Sequence, residues 1–122
     1  MFKRIAEVMY FVPNRYEAAR WYSSLFENEI FFLENPDHFF IRVGNQEVWF
    51  HQADHKVPSG AAGCVAYWQV GDFDEAVERA VRLGAEMYRG PLDREDGTFM
   101  CQVKDPFGNL VGLVGPKRLS SG

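Results

Sequence analysis

The chain has little of what would settle a function at once. It has two cysteines, Cys64 and Cys101, too far apart for a redox or zinc-binding pair. That excludes a disulfide scaffold, and both are expected as buried thiols in a reducing cytoplasm. It has no basic patch: 13 Lys and Arg stand against 17 Asp and Glu, for a net charge of −4. Nucleic acid is therefore not an expected partner. No apolar run is long enough to cross a bilayer, and Met1-Phe2-Lys3-Arg4-Ile5 leads straight into a strand pattern without a signal peptide. The expected location is cytoplasmic, with no membrane partner. Gly60 to Gly63 has neither the spacing of a phosphate loop nor its following Lys-Ser/Thr. No serine sits in a nucleophile elbow, and neither cysteine has an activator close in sequence.

What is present is aromatic. Of 122 residues, 16% are Phe, Trp or Tyr, more than one ordinary core requires, so rings must fill a core or line a pocket. The length favours one domain. Alternation over Ile5 to Val12 predicts a strand, with Val8, Tyr10 and Val12 on one face and Glu7, Met9 and Phe11 on the other. Asn14 is a good N-cap for a helix over Arg15 to Phe26, with Ala18, Ala19, Tyr22, Leu25 and Phe26 towards one side. Three short strands follow, at about 29–33, 39–43 and 47–52, divided by turns at Asn35-Pro36-Asp37 and Gly44-Asn45.

The order is βαβββ, and it occurs twice. Residues 56–63, with Pro58-Ser59-Gly60, read as a linker. A strand over Val65 to Val70, a helix over Phe73 to Leu83 capped by Asp72, and strands near 86–89, 98–104 and 110–114 repeat the pattern. Setting Val12 on Val70 places Asn14 on Asp72, cap on cap. The modules span about 4–55 and 64–116. The expected fold is α+β: tandem βαβββ modules forming a curved, partly closed mixed sheet with helices on its outer face.

Three segments then carry a family resemblance. Val12-Pro13-Asn14 with Ala19-Arg20-Trp21-Tyr22 and Leu25-Phe26 resembles a V-x-D…FY…LG segment, with Trp21 for the usual Phe and Glu27 for the usual Gly. Val70-Gly71-Asp72-Phe73-Asp74-Glu75-Ala76 with Leu83-Gly84-Ala85 resembles V-x-D-x-x-x-A…GA, and Asp105-Pro106-Phe107-Gly108-Asn109 resembles a DPxGN turn. In this order they resemble the glyoxalase, bleomycin-resistance and extradiol-dioxygenase superfamily, also called vicinal oxygen chelate proteins. The resemblance covers roughly residues 4 to 116 and implies the fold above, but no single reaction.

Enzymes of that superfamily mostly hold one divalent metal, whose ligands stand on the first and last strands of each module. Carried over, the first ligand position is Glu7. In the fourth strand the candidates are His51 and Trp49, with Glu47 on the same parity. The third position is Val65, which cannot ligate, and the fourth is Gly112, which has no side chain. Glu7 and His51 are thus the only metal candidates, short of the three protein ligands a catalytic site usually needs. Glu7 would instead pair with an arginine such as Arg42, or bind a cation or amide of a ligand.

Strand parity puts Glu7, Met9, Phe11, Trp49, His51, Val65, Tyr67, Gln69 and Gly112 on the inner face, with Leu110 and Val114. This is the expected ligand-binding set, mostly apolar with a few polar groups. Gly112 removes bulk, leaving room for a ligand or a neighbouring side chain. Arg89, Arg94 and Glu95 are expected in a loop bordering the mouth. The expected function is metal-free binding of a small drug or metabolite in an aromatic cleft, with no cofactor and with a homodimer as the assembly. The alternative is a metal-dependent lyase, isomerase or dioxygenase of the same superfamily.

Overall fold

The computed structural model describes residues 1–117. Two compact units divide the chain, Met1–Ser59 and a second that begins at Gly60. The first holds β1 (Glu7–Val12), α1 (Arg15–Phe26), β2 (Ile30–Phe32), β3 (Phe39–Val43) and β4 (Gln46–Gln52). The second holds β5 (Tyr67–Gln69), α2 (Phe73–Arg82), β6 (Glu86–Asp93), β7 (Thr98–Lys104) and β8 (Leu110–Pro116). The fold is α+β, βαβββ twice, with one four-stranded mixed sheet in each unit.

In the first unit the strand order is β1-β4-β3-β2. β1 runs parallel to β4, and the other pairs are antiparallel. Alternation explains which face is covered. Tyr10, Val12, Val48 and Phe50 are buried, as are Ala18, Ala19 and Tyr22 of α1. The alanines let the helix approach, and the Tyr22 ring fills the space between. Its centroid lies 4.8 Å from that of Tyr10 and 5.4 Å from that of Phe50.

The helix starts where the Asn14 side chain accepts the Glu17 backbone N–H at 3.0 Å. It stops at Glu27, whose φ of 57° is left-handed. That conformation explains why glycine is the usual residue there, since a Cβ crowds the following carbonyl. Glu27→Gly is expected to stabilise the protein by about 1 kcal/mol. A urea midpoint that rises with unchanged slope is the expected reading, and an unchanged or lower midpoint would refute it.

The second unit repeats the plan in the order β5-β8-β7-β6, with β5 parallel to β8. Asp72 caps α2 by accepting the Glu75 N–H at 3.0 Å, as the sequence alignment of caps predicts. Phe73 and Ala80 are the buried residues of this helix. The turn before β8 is built around Asp105, which is buried. Its carboxylate accepts the N–H groups of Phe107 and Asn109 at 2.9 and 2.8 Å. Gly108, at φ 94°, makes the reversal, and the Asn109 amide oxygen accepts the Gly60 N–H at 2.7 Å. Asp, Gly and Asn are each required there by a distinct bond or dihedral.

Three expectations need correction. Arg89 lies in β6, not in a loop, because that strand runs on to Asp93 through register shifts between Met87 and Leu92. Val65 precedes β5, which is shorter than the alternation suggested. Cys64 is exposed rather than buried, while Cys101 is buried among strand side chains.

Candidate functional site

α1 covers one face of the first sheet. On the opposite parity, β1 and β4 pair Glu7 with Glu47, Met9 with Trp49, and Phe11 with His51. All five expected site residues of this unit therefore share one face and, with Glu47, form three adjacent pairs. Antiparallel pairing extends the face: Trp49 opposes Phe40, and Phe40 opposes Phe31. The rings form a row. Phe31 and Phe40 stack at 5.6 Å, and Phe40 and Trp49 at 4.9 Å. Phe31 and Phe40 are site candidates that the strand-by-strand reading missed. Their signal was present in the parity of β3, but the partner register that aligns them with Trp49 was not.

Polar groups hold the row in place. The Trp49 indole N–H donates to the Glu47 carboxylate at 2.9 Å. Arg42 pairs with the other Glu47 oxygen at 3.2 Å, and its guanidinium lies 5.3 Å from the Phe40 centroid and 5.7 Å from that of Phe31. Glu47 is thus the partner of Arg42, in place of the Glu7 pairing expected from sequence. The Trp49 hydrogen bond, then that of Arg42, holds the Glu47 carboxyl below the usual carboxylate range. His51 Nδ1 lies 2.9 Å from the Gln52 carbonyl oxygen. A carbonyl only accepts, so that bond puts a proton on Nδ1 and turns Nε2 away from it. The His51 ring sits 5.2 Å from Phe11.

In the second unit, Tyr67 pairs with Gly112 and Gln69 with Val114. The room left by Gly112 is taken by a neighbour. A Cβ placed there would lie 2.6 Å from two carbons of the Tyr67 ring. The Tyr67 hydroxyl in turn receives the Gln102 amide N–H at 2.8 Å. A cavity of about 260 Å³ opens beside these groups, walled also by Arg89, Leu92 and Met100. Cys101 borders it, with burial pushing its thiol pKa up to about 11, so it is no nucleophile at neutral pH.

A larger cavity of about 520 Å³ lies at the start of α1, walled by Arg15, Tyr16, Phe32, Asp37 and Phe39 among others. Its cation is already engaged: Arg15 donates to the Asp37 carbonyl at 2.8 Å and lies 5.2 Å from the Phe39 centroid. Among the described residues, no three His, Cys, Asp or Glu side chains converge as a metal site. The positions carried over from the superfamily do not fit its metal, because Val65 and Gly112 offer no donor atom. Among the described residues, no helix is long and apolar enough to cross a membrane.

Comparison with known proteins agrees with this architecture. The sequence model of the glyoxalase/bleomycin resistance protein/dioxygenase superfamily matches residues 4–113. A search of curated proteins by sequence finds no match. Among solved structures, a putative glyoxalase family protein from Bacillus anthracis superposes with a TM-score of 0.74 at 20% identity, over 96% of this chain and 98% of that one. The fosfomycin resistance protein FosX from Mesorhizobium loti gives 0.72 at 19%, over 94% and 93%. An integron cassette protein from V. cholerae gives 0.74 at 14%, over 94% and 96%. At these identities the likeness is one of fold.

Proposed function

Because the chain belongs to the glyoxalase/bleomycin resistance protein/dioxygenase superfamily, we propose that it is a metal-free member that binds a small, flat drug or metabolite. The observation that carries this reading is the row Phe31, Phe40 and Trp49 on the face that α1 leaves uncovered. Stacked rings already fixed by Glu47 and Arg42 lose little freedom when a flat ligand settles on them. The absence of donor atoms at Val65 and Gly112, and the commitment of Glu47 to Trp49 and Arg42, support binding without a metal. Two structural relatives are named as fosfomycin resistance proteins, so antibiotics belong beside metabolites among the compounds to test.

The test is a thermal-shift screen, followed by titration of any stabilising compound. Trp49→Ala is expected to weaken binding at least about tenfold, through lost apolar contact and stacking. If no compound stabilises the protein, or if Trp49→Ala leaves affinity unchanged, the reading fails. Stoichiometric divalent metal in protein purified without chelator, lost in Glu7→Ala, would favour the metal-dependent lyase or dioxygenase instead. The proposed assembly is a homodimer in the cytoplasm. The edge strand β2 and the residue after it expose Phe31, Phe32 and Leu33, which suits pairing with a second copy, and the two free cysteines suit a reducing compartment. Light scattering at the monomer mass would remove the dimer.

A further inference from the structure

One register row crosses all four strands of the second unit. Arg89 on β6 opposes Gln102 on β7, Gln102 opposes Gly112 on β8, and Gly112 lies beside Tyr67 on β5. Gly112 is the position at which the superfamily resemblance places an acidic metal ligand. Here the missing side chain lets the Tyr67 ring lie across β8, so that its hydroxyl meets the Gln102 amide at 2.8 Å. The row therefore offers a guanidinium, a phenol and a primary amide. Among the described residues, no carboxylate borders the cavity of about 260 Å³ that opens over it. A place suited to a cation has become a place suited to an anion.

The donors are available. The Arg89 side chain has no ion-pair, hydrogen-bond or ring partner among the described residues. In the Tyr67–Gln102 bond the amide donates, which frees the phenol proton for the cavity. Were the amide turned over, the phenol would donate and the NH₂ group would be free, so either orientation leaves a donor. Leu92 and Met100 add apolar surface beside these donors, against which the carbon part of a ligand can pack. A guanidinium fork matches the paired oxygens of a carboxylate or phosphoryl group.

We propose that the Arg89–Gln102–Tyr67 row is an oxyanion subsite, holding the carboxylate or phosphoryl group of a small organic ligand. The proposal rests on the reading of the chain as a small-molecule binder, and names the group such a ligand carries. The test uses the full-length ¹⁵N-labelled protein, titrated separately with sodium butyrate and with inorganic phosphate at constant ionic strength set by sodium chloride. Saturable shifts in the Arg89 Nε–H and Gln102 side-chain signals are expected with at least one anion. Saturation by butyrate alone identifies a carboxylate site, and by phosphate alone a phosphoryl site. Arg89→Gln is expected to weaken binding about tenfold and Tyr67→Phe about threefold. Arg82→Gln, on α2, is expected to change nothing.

Linear, non-saturating shifts, or equal affinity in Arg89→Gln, would overturn the subsite. The two readings fail separately. A neutral screening compound whose binding ignores Arg89→Gln leaves the binding function standing without the subsite. Anion binding that depends on Arg89, with no screening compound bound, leaves the subsite standing without the aromatic reading.

Discussion

Tyr22→Ala is expected to cost about 4 kcal/mol, the range for removing a buried aromatic side chain. Tyr22 is fully buried and is the largest such side chain among the described residues. Its ring packs against those of Tyr10 at 4.8 Å, Trp21 at 5.0 Å, Phe50 at 5.4 Å and Phe26 at 5.5 Å. Two of these belong to the sheet and two to its own helix, so the ring is the joint between them. The loss also reaches the candidate site. Phe50 lies between Trp49 and His51 on β4, so loosening its packing loosens the strand that presents both. Urea unfolding measures the cost. Tyr22→Phe keeps the ring and should lose far less, which separates packing from the hydroxyl. A cost near 1 kcal/mol for the alanine variant would mean that the site collapses without leaving a cavity, against the expectation.

Gly115→Ala is expected to cost about 3 kcal/mol, at the upper end for overpacking a rigid site. A Cβ there would run into the carbonyl oxygen of Val70, and would lie 2.9 Å from its Cγ2. The obstacle is backbone, so no rotamer change relieves it. Val70 is also held where it is, since its N–H donates to the Val114 carbonyl at 2.8 Å. The substitution forces the end of β5 away from β8 and breaks that bond. Faster hydrogen exchange at the Val70 amide should accompany the lower urea midpoint. Gly71→Ala is the control, because a Cβ there meets nothing within 4 Å. Equal midpoints for the two variants would contradict the argument.

The sequence was most readable where one residue answers a local need. Asn14 and Asp72 are short acceptors ahead of amphipathic runs, and both cap helices. Gly108 and Asn109 mark a reversal, and the reversal is there. The parity of β1 and β4 was readable too, because alternation over six or seven residues leaves one answer. Reading failed where the answer lies on another strand. Gly90-Pro91 looks like the end of β6, yet the strand continues past it to Asp93, and a register shift between Met87 and Arg89 places Arg89 opposite Gln102. Arg42 could have met Glu7 or Glu47, and the antiparallel register of β3 with β4 chose Glu47. Gly112 was legible as space, but Tyr67 fills it from some forty-five residues away. Phe31 and Phe40 were missed as site candidates for the same reason: a row across strands has no local spelling.

The parallel pairing of β1 with β4 bears on how the protein is made. Glu7 finds Glu47, and Tyr67 finds Gly112, only after the whole of each unit lies between them. On a ribosome, β1 has no hydrogen-bonding neighbour until β4 has emerged, whereas β2 and β3 can pair at once. Each sheet thus closes with its last strand, which inserts between the first strand and an existing hairpin partner. The Met9–Trp49 and Tyr67–Gly112 contacts are therefore among the last formed in their units: a nascent chain short of β4 lacks the first, and one short of β8 lacks the second.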